Sequence, residues 1–375
     1  MRVKLLLPGL PLLLILMWAC ADQIDPVYQF EDGFYLVEGR IANQDGYGKV
    51  SVSLSELVDG VYRLNRLEGA RVSTVDDQGQ TVEWEANAGT IDYYPPENFT
   101  GVPGRSYHIR VETPDGKILE SSPETMPEPV PITDFRISFE QEAYFDVVRD
   151  AFIPAFRLLI DADDPAGRDN FYQWSRRTFQ LVDVCQSCYF QRYRNGQCES
   201  HRSARFAERW DYLCEGQCWG VSNPLDFQLF SDQFSQGLPI RDLLVGYEGF
   251  DRPNGGLLIE VSQLQLSREN YEYNSLLKQL TTESGGLNAA IPSALVGNMR
   301  ELGAGEELTV LGYFGAVSVA AERRFIDRAT VDGVSLPFDR DIRLEPAPDC
   351  VMDCPPLAPC SGPRWTSTEP EGWEE

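Results

Sequence analysis

Histidine is nearly absent: His108 and His201 are the two that 375 residues contain. That scarcity removes most of the common chemistry at neutral pH, because general-base catalysis and transition-metal binding both lean on imidazole. His108 sits in an alternating segment between Tyr107 and Ile109, and His201 lies near Arg202 and Arg205. Neither has a recognisable partner motif, so both read as structural or surface residues. Missing as well are G-x-S-x-G, H-E-x-x-H and P-loop runs, which takes away the familiar hydrolase and nucleotide signatures. Positive charge is also short: 32 Lys and Arg stand against 58 Asp and Glu, for a net charge of -26. So acidic a chain offers no basic face to nucleic acid or anionic lipid, and the expected role of the surplus is solubility. On these grounds no catalytic residue, metal or cofactor is assigned, and the chain is expected not to be an enzyme.

What the sequence does carry is an address. Arg2 and Lys4 precede the apolar run Leu5 to Met17, and Ala19-Cys20 closes it, the order of a bacterial lipoprotein signal. The run is too short for a membrane span, and the polar Ala21-Asp22-Gln23 that follows is no stop-transfer segment. Residues 1–19 are therefore expected to be a signal peptide, Cys20 the lipidated first residue, and 20–33 an anchor linker. Three acyl chains at about 0.8 kcal/mol per buried methylene hold a protein far more firmly than one. Met17 and Trp18 depart from the usual lipobox, which leaves a plain secretory signal with Cys20 in a disulfide as the alternative.

Nine cysteines become eight once Cys20 is set aside, an even number that fits an oxidising, exported setting. Cys185, Cys188, Cys198, Cys214 and Cys218 fall in one insertion, Cys350, Cys354 and Cys360 in the tail. Both groups are odd, so complete pairing requires at least one bridge between them. Cys185-x-x-Cys188 with Cys214-x-x-x-Cys218 also has the spacing of four thiolates around zinc, but that arrangement strands Cys198. Disulfides are the preferred expectation.

From Phe34 to Ser122 short alternating segments are broken by turns. Val50 to Ser55 alternates strictly, Asp76-Asp77-Gln78-Gly79 turns into Thr81 to Trp84, and Gly104 to Val111 returns before Asp115-Gly116. The pattern predicts a small transthyretin-like or immunoglobulin-like β-sandwich over 34–125. Pro127, Pro129 and Pro131 stiffen a linker at 126–131, and alternation resumes at Thr133, Ala155, Tyr172 and Leu257. A second, larger β-sandwich is predicted over 132–345, with a Cys-rich insertion at 185–220. One helix interrupts it, capped by Ser267 and running from Arg268 to about Thr282. Val310 to Phe314 and Ala316 to Ala320 read as two late strands, and 346–375 as a Cys, Pro and acidic tail. The fold class is thus mainly β, in two sandwich domains. Asp161 to Asp164 and Asp339 to Asp341 lack the calcium-loop pattern and read as solvated turns. Tyr93, Tyr94, Trp210 and Tyr212 are candidates for stacking on a sugar, with core packing the preferred role.

Several segments together resemble the Bacteroidota lipoprotein family catalogued as domain of unknown function 4249. They are Leu36-Val37-Glu38-Gly39, Gly69-Ala70-Arg71-Val72, Gly104-Arg105-Ser106-Tyr107 and Glu120-Ser121-Ser122. Further on come Cys218-Trp219, Val261 to Ser267 with Tyr271 and Tyr273, Gly297-Asn298, and Val310 to Phe314. The resemblance implies an outer-membrane lipoprotein working beside a TonB-dependent transporter, with the periplasmic or cell-surface side left open. Membrane contact through the N-terminal lipid, a transporter partner and an accessory binding role in nutrient uptake are the resulting expectations. A stand-alone glycan- or peptide-binding surface lipoprotein is the alternative. An enzyme built on a carboxylate pair is a third reading, for which the sequence cannot select the pair.

Overall fold

The computed structural model describes residues 33–59, 61–87, 90–200, 209–283, 295, 297–303, 310–337, 342–345, 354–362 and 364–374. Ten strands form the first part: β1 (Tyr35–Ala42), β2 (Lys49–Val58), β3 (Val61–Arg66), β4 (Arg71–Asp76), β5 (Thr81–Glu83), β6 (Glu85–Ala86), β7 (Asp92–Tyr94), β8 (Ser106–Glu112), β9 (Ile118–Ser121) and β10 (Glu124–Thr125). Period-two patterning explains them. In β8, Tyr107, Ile109 and Val111 are buried while the residues between them are half-exposed. The turn after β4 is held by Asp76, whose Oδ1 accepts from the N–H groups of Gln78 and Gln80 at 2.9 and 2.8 Å.

β11 (Ile132–Asp146), β12 (Ala151–Ala162) and β13 (Phe171–Leu181) follow. The insertion supplies β14 (Val184–Cys188), β15 (Arg192–Arg194), β16 (Gln197–Glu199) and β17 (Trp210–Leu213). Next come β18 (Trp219–Ser222), β19 (Gln228–Ser231), β20 (Ile240–Gly249), β21 (Gly256–Leu266) and α1 (Arg268–Glu283). The described chain ends with β22 (Met299–Glu301), β23 (Val310–Leu311), β24 (Phe314–Asp327) and β25 (Trp365–Thr366). The protein is mainly β, with one α-helix among the described residues, and no described helix is long and apolar enough to cross a membrane.

β24 joins the two halves. Its first residues, Phe314 to Val317, run parallel to Gly39 to Ala42 of β1, and from Ser318 onward it runs antiparallel to β21. A twelve-stranded sheet therefore passes through both halves, in the order β25-β18-β13-β21-β24-β1-β2-β7-β6 with β19, β23 and β3 attached. The six-stranded sheet of β4, β5, β8, β9, β10 and β22 shares a core with β1 and β2, built on Val37, Val52, Ile109, Val111 and Leu119. At the other end the sheet of β11, β12 and β20 meets β13 and β21 around Phe156, Leu158, Trp174 and Ile259. The proline-rich stretch 126–131 lies against these cores instead of hanging free. Met126 and Val130 are buried, and Val130 O accepts from Gln263 Nε2 at 2.6 Å.

Three disulfides are described: Cys185–Cys214, Cys188–Cys198 and Cys218–Cys360, the last joining insertion to tail. Cys354 is disulfide-bonded too, whereas Cys20 and Cys350 lie outside the described residues. The tail is held further by Glu345, which is buried against Arg192 (2.6 Å), Arg194 (2.9 Å) and the Tyr212 hydroxyl (3.1 Å). Burial alone would raise the Glu345 carboxyl, but Arg194, Tyr212 and Arg192 outweigh it and hold the group below the ordinary carboxylate range.

Candidate functional site

Where the first half meets the helix, a cleft of about 660 Å³ opens. One wall is Ser122 to Thr125, running from the end of β9 into β10; the other is the first two turns of α1, with Ser267, Glu269, Glu272, Tyr273 and Leu276. Gly297, Asn298 and Tyr313 close the base. Local sequence explains the placement. Ser267 caps α1, its Oγ accepting from Asn270 N–H at 3.1 Å, and the same hydroxyl donates to Glu124 Oε2 at 2.6 Å. Asn298 clasps the first residue of β24 through both polar atoms, donating to Phe314 O and accepting from Phe314 N–H at 2.9 Å each. Gly297 is needed because a Cβ there would lie 1.6 Å from Gly312 O. Gly312 itself has φ +107°, a conformation that favours glycine.

Glu124 is the centre of the cleft. It is 6% exposed, and the Tyr313 hydroxyl donates to its other oxygen. Burial pushes its carboxyl above the ordinary range; Ser267 and Tyr313 draw it back, and Glu269 pushes it up again. No Lys, Arg or His is among the described residues that line the cleft, so this carboxyl has no counter-charge there. Tyr273 donates to Glu38 Oε1 at 3.0 Å, and its ring lies 4.9 Å from that of Tyr313. Burial, reinforced by the neighbouring carboxylates, raises both phenols well above their usual range, so both keep their protons. Two exposed carboxylates, Glu269 and Glu272, stand at the mouth. The arrangement suits a polar ligand that brings hydrogen-bond donors or positive charge, with the paired rings as an apolar shelf.

None of the candidate site residues named from sequence, the cysteines, histidines, acidic runs and stacking aromatics, lines this cleft. The disulfide cysteines gather in the insertion and tail, where the sulfurs of Cys185, Cys218 and Cys360 lie within 4.8 Å of one another, all in disulfides. A sulfur so bonded has no thiolate to give zinc. A second cavity, of about 610 Å³, lies beside them between Leu181, Leu213, Ile342 and Leu344. His108 is on β8 with Nε2 3.8 Å from Glu120, and His201 is outside the described residues. Trp210, Tyr212 and Tyr93 are buried packing residues, leaving Tyr94 at the surface. Asp161 and Asp163 pair with Arg136 and Arg241, while Asp164 accepts from the Tyr172 hydroxyl; Asp339 and Asp341 are outside the described residues. Glu124 was missed because nothing in its neighbourhood marks it out. Yet a signal existed: Ser122, Ser267, Tyr273, Gly297, Asn298 and Tyr313 all fall in the segments that carry the family resemblance, and the fold brings them to one place.

Among solved structures, a DUF4785 family protein from Legionella pneumophila aligns at 10% identity and a TM-score of 0.17, covering 61% of this chain and 51% of that one. This chain thus spans about half the length of that protein, and so low a score carries no structural argument. No curated protein matches. The model of the family described as "Domain of unknown function (DUF4249)" matches residues 22–323, and the chain belongs to that family.

Proposed function

We propose that this is a lipid-anchored outer-membrane binding protein, partner to a TonB-dependent transporter in nutrient uptake, and that the Glu124 cleft holds the ligand. One observation carries the binding role: every reactive group at the cleft's centre is already committed. Both phenolic protons are donated to carboxylates, and both Glu124 oxygens are accepting, so among the described residues at the centre no free base stands beside a nucleophile. Such a site grips. The anchor is supported by the leader and by cysteine parity, since an even number, eight, remains once Cys20 is set aside. The partner rests on the family resemblance.

Two measurements test this. Mild-detergent extraction of the tagged, lipidated chain is expected to recover a TonB-dependent transporter; recovery of the lipoprotein alone would remove the partnership. Mass analysis of the mature N-terminus is expected to find acyl chains on Cys20. The stand-alone reading, a glycan or peptide binder, draws on the same cleft, because a carboxyl floor and two rings would also receive a peptide amine or a sugar. A Tyr273→Ala, Tyr313→Ala variant that keeps its transporter but loses ligand separates the two functions.

A further inference from the structure

The hairpin between β11 and β12 ends in an apolar point. Phe145 and Phe152 face each other across it with ring centroids 5.3 Å apart, and the four-residue loop Val147 to Asp150 closes it. Val147 is 84% and Val148 97% exposed, while Phe145 and Phe152 are about half-exposed behind them. Nothing in the packing of the described residues needs this. Charged or polar turn residues would close the same loop, and two adjacent bare valines at a convex apex are a cost in water.

Direction matters too. β1 and β24 run parallel, and β11 follows the same sense: Phe135 O accepts from Arg324 on β24, and Gln141 bonds the backbone at Val334 beyond that strand's end. β11 therefore carries the apex away from the end of the sheet at which Tyr35 lies.

We propose that this apex is a wedge for the interfacial zone of an uncharged or zwitterionic bilayer. Three observations favour lipid over a protein socket. Residue types change with distance from the apex, aliphatic first and aromatic behind (Phe145, Phe152 and the Tyr144–Tyr247 pair), as depth in a bilayer interface demands. A protein hot spot has the reverse order, aromatics central and valine scarce. Second, the apex backbone brings its own partners: Asp146 Oδ1 accepts from the N–H groups of Val148 and Arg149 at 2.8 and 3.0 Å, so insertion strands neither donor. Third, Asp146 is neutralised by Arg149, whose long stem can lift its charge back to the headgroups. Asp150 limits the depth to the interface. The net charge of -26 selects against anionic surfaces. The wedge itself does not depend on the Cys20 anchor.

The test uses the chain from Ala21, which lacks the lipid and keeps every described residue. In flotation with phosphatidylcholine vesicles it is expected to bind, unchanged by salt and weakened by added phosphatidylglycerol. Val147→Asp with Val148→Asp should lower binding by about tenfold or more, with an unaltered thermal melt because neither side chain is buried. Failure of the unmutated chain to float, equal flotation of the variant, or binding that requires anionic lipid each overturns the wedge. So does a photocrosslinker at Val148 that captures a protein in envelopes while the purified chain ignores vesicles. None of these outcomes bears on whether Cys20 is acylated or the Glu124 cleft binds its ligand.

Discussion

Glu124 and Glu260 are both buried glutamates, and their surroundings drive them in opposite directions. Glu260 lies between Arg177 at 2.8 Å and Arg323 at 2.7 Å and accepts from the Tyr47 hydroxyl at 2.9 Å. Burial would raise it, but these partners outweigh burial and hold it below the ordinary range. Its contribution to stability is present above the unfolded value and lost as pH falls through the depressed folded one. Glu260→Gln leaves two guanidinium groups without their carboxylate and is expected to cost about 3 kcal/mol at neutral pH, read by urea unfolding. Glu124 has no guanidinium. Its folded value is raised, so folding favours the protonated form more than the unfolded chain does, and ionisation destabilises the fold progressively as pH climbs above the unfolded value. Glu124→Gln keeps an acceptor for Tyr313 and cannot ionise. It is expected to raise stability at pH 7 by about 0.5–2 kcal/mol, the usual gain from relaxing a functional site, with no gain in the acid range where the native residue is already protonated. Equal melting temperatures at pH 7 would show that Glu124 is not held at a cost. Sequence could not choose these two from 58 acidic residues, because each is defined by partners far along the chain: Arg177 is 83 residues from Glu260, and Tyr313 is 189 from Glu124.

Elements whose signals are local were legible. The alternation of β8, the Asp76 turn and the Ser267 cap each follow from neighbouring residues, and α1 begins at Arg268 as that cap requires. β24 was not. Sequence reads one strand to Phe314 and another from Ala316 to Ala320, stopping where Glu322, Arg323 and Arg324 break the apolar pattern, whereas the structure has the short β23 at Val310–Leu311 and then one long strand from Phe314 to Asp327. The charges are tolerated because Arg323 reaches Glu260 across the sheet and Arg324 reaches Phe135 O, compensation that hydropathy cannot register. Ser267→Ala is expected to cost about 1–2 kcal/mol, since it removes the α1 cap and also a donor to Glu124; loss of helical signal before the main unfolding transition would locate the damage. Paired replacement of Cys218 and Cys360 by serine opens a link between residues 142 apart. The chain-entropy relation places that at about 4–5 kcal/mol, and limited proteolysis should then cut the tail beyond Glu345 while β13 and β21 stay protected.

At the scale of the molecule, the informative feature is that the halves are not beads on a string. Residues 299–301 and 310–316 return to complete the sheets of the first half, β22 pairing with β9 and β23 with β1, while the remainder of β24 belongs to the second. A linear reading of strands and prolines sees a break at 126–131; what it cannot see is a strand from the far end of the chain crossing that break, since register between distant segments has no local signature. The energetic consequence is coupling. Phe314 and Ala316 are buried in the first core, and Val317 and Val319 in a cluster with Phe171 and Leu264, so loss of β24 removes packing from both sides at once. Unfolding is therefore expected to be one cooperative transition, with backbone amides of β8 and β12 exchanging in denaturant through a common opening and with calorimetric and van't Hoff enthalpies in agreement. Val317→Gly should lower the exchange protection of both strands together. If β8 exchanged through a separate, lower-energy opening that this substitution left unchanged, the shared strand would be a contact between independent domains, and the cleft beside it would sit on a hinge instead of a fixed frame.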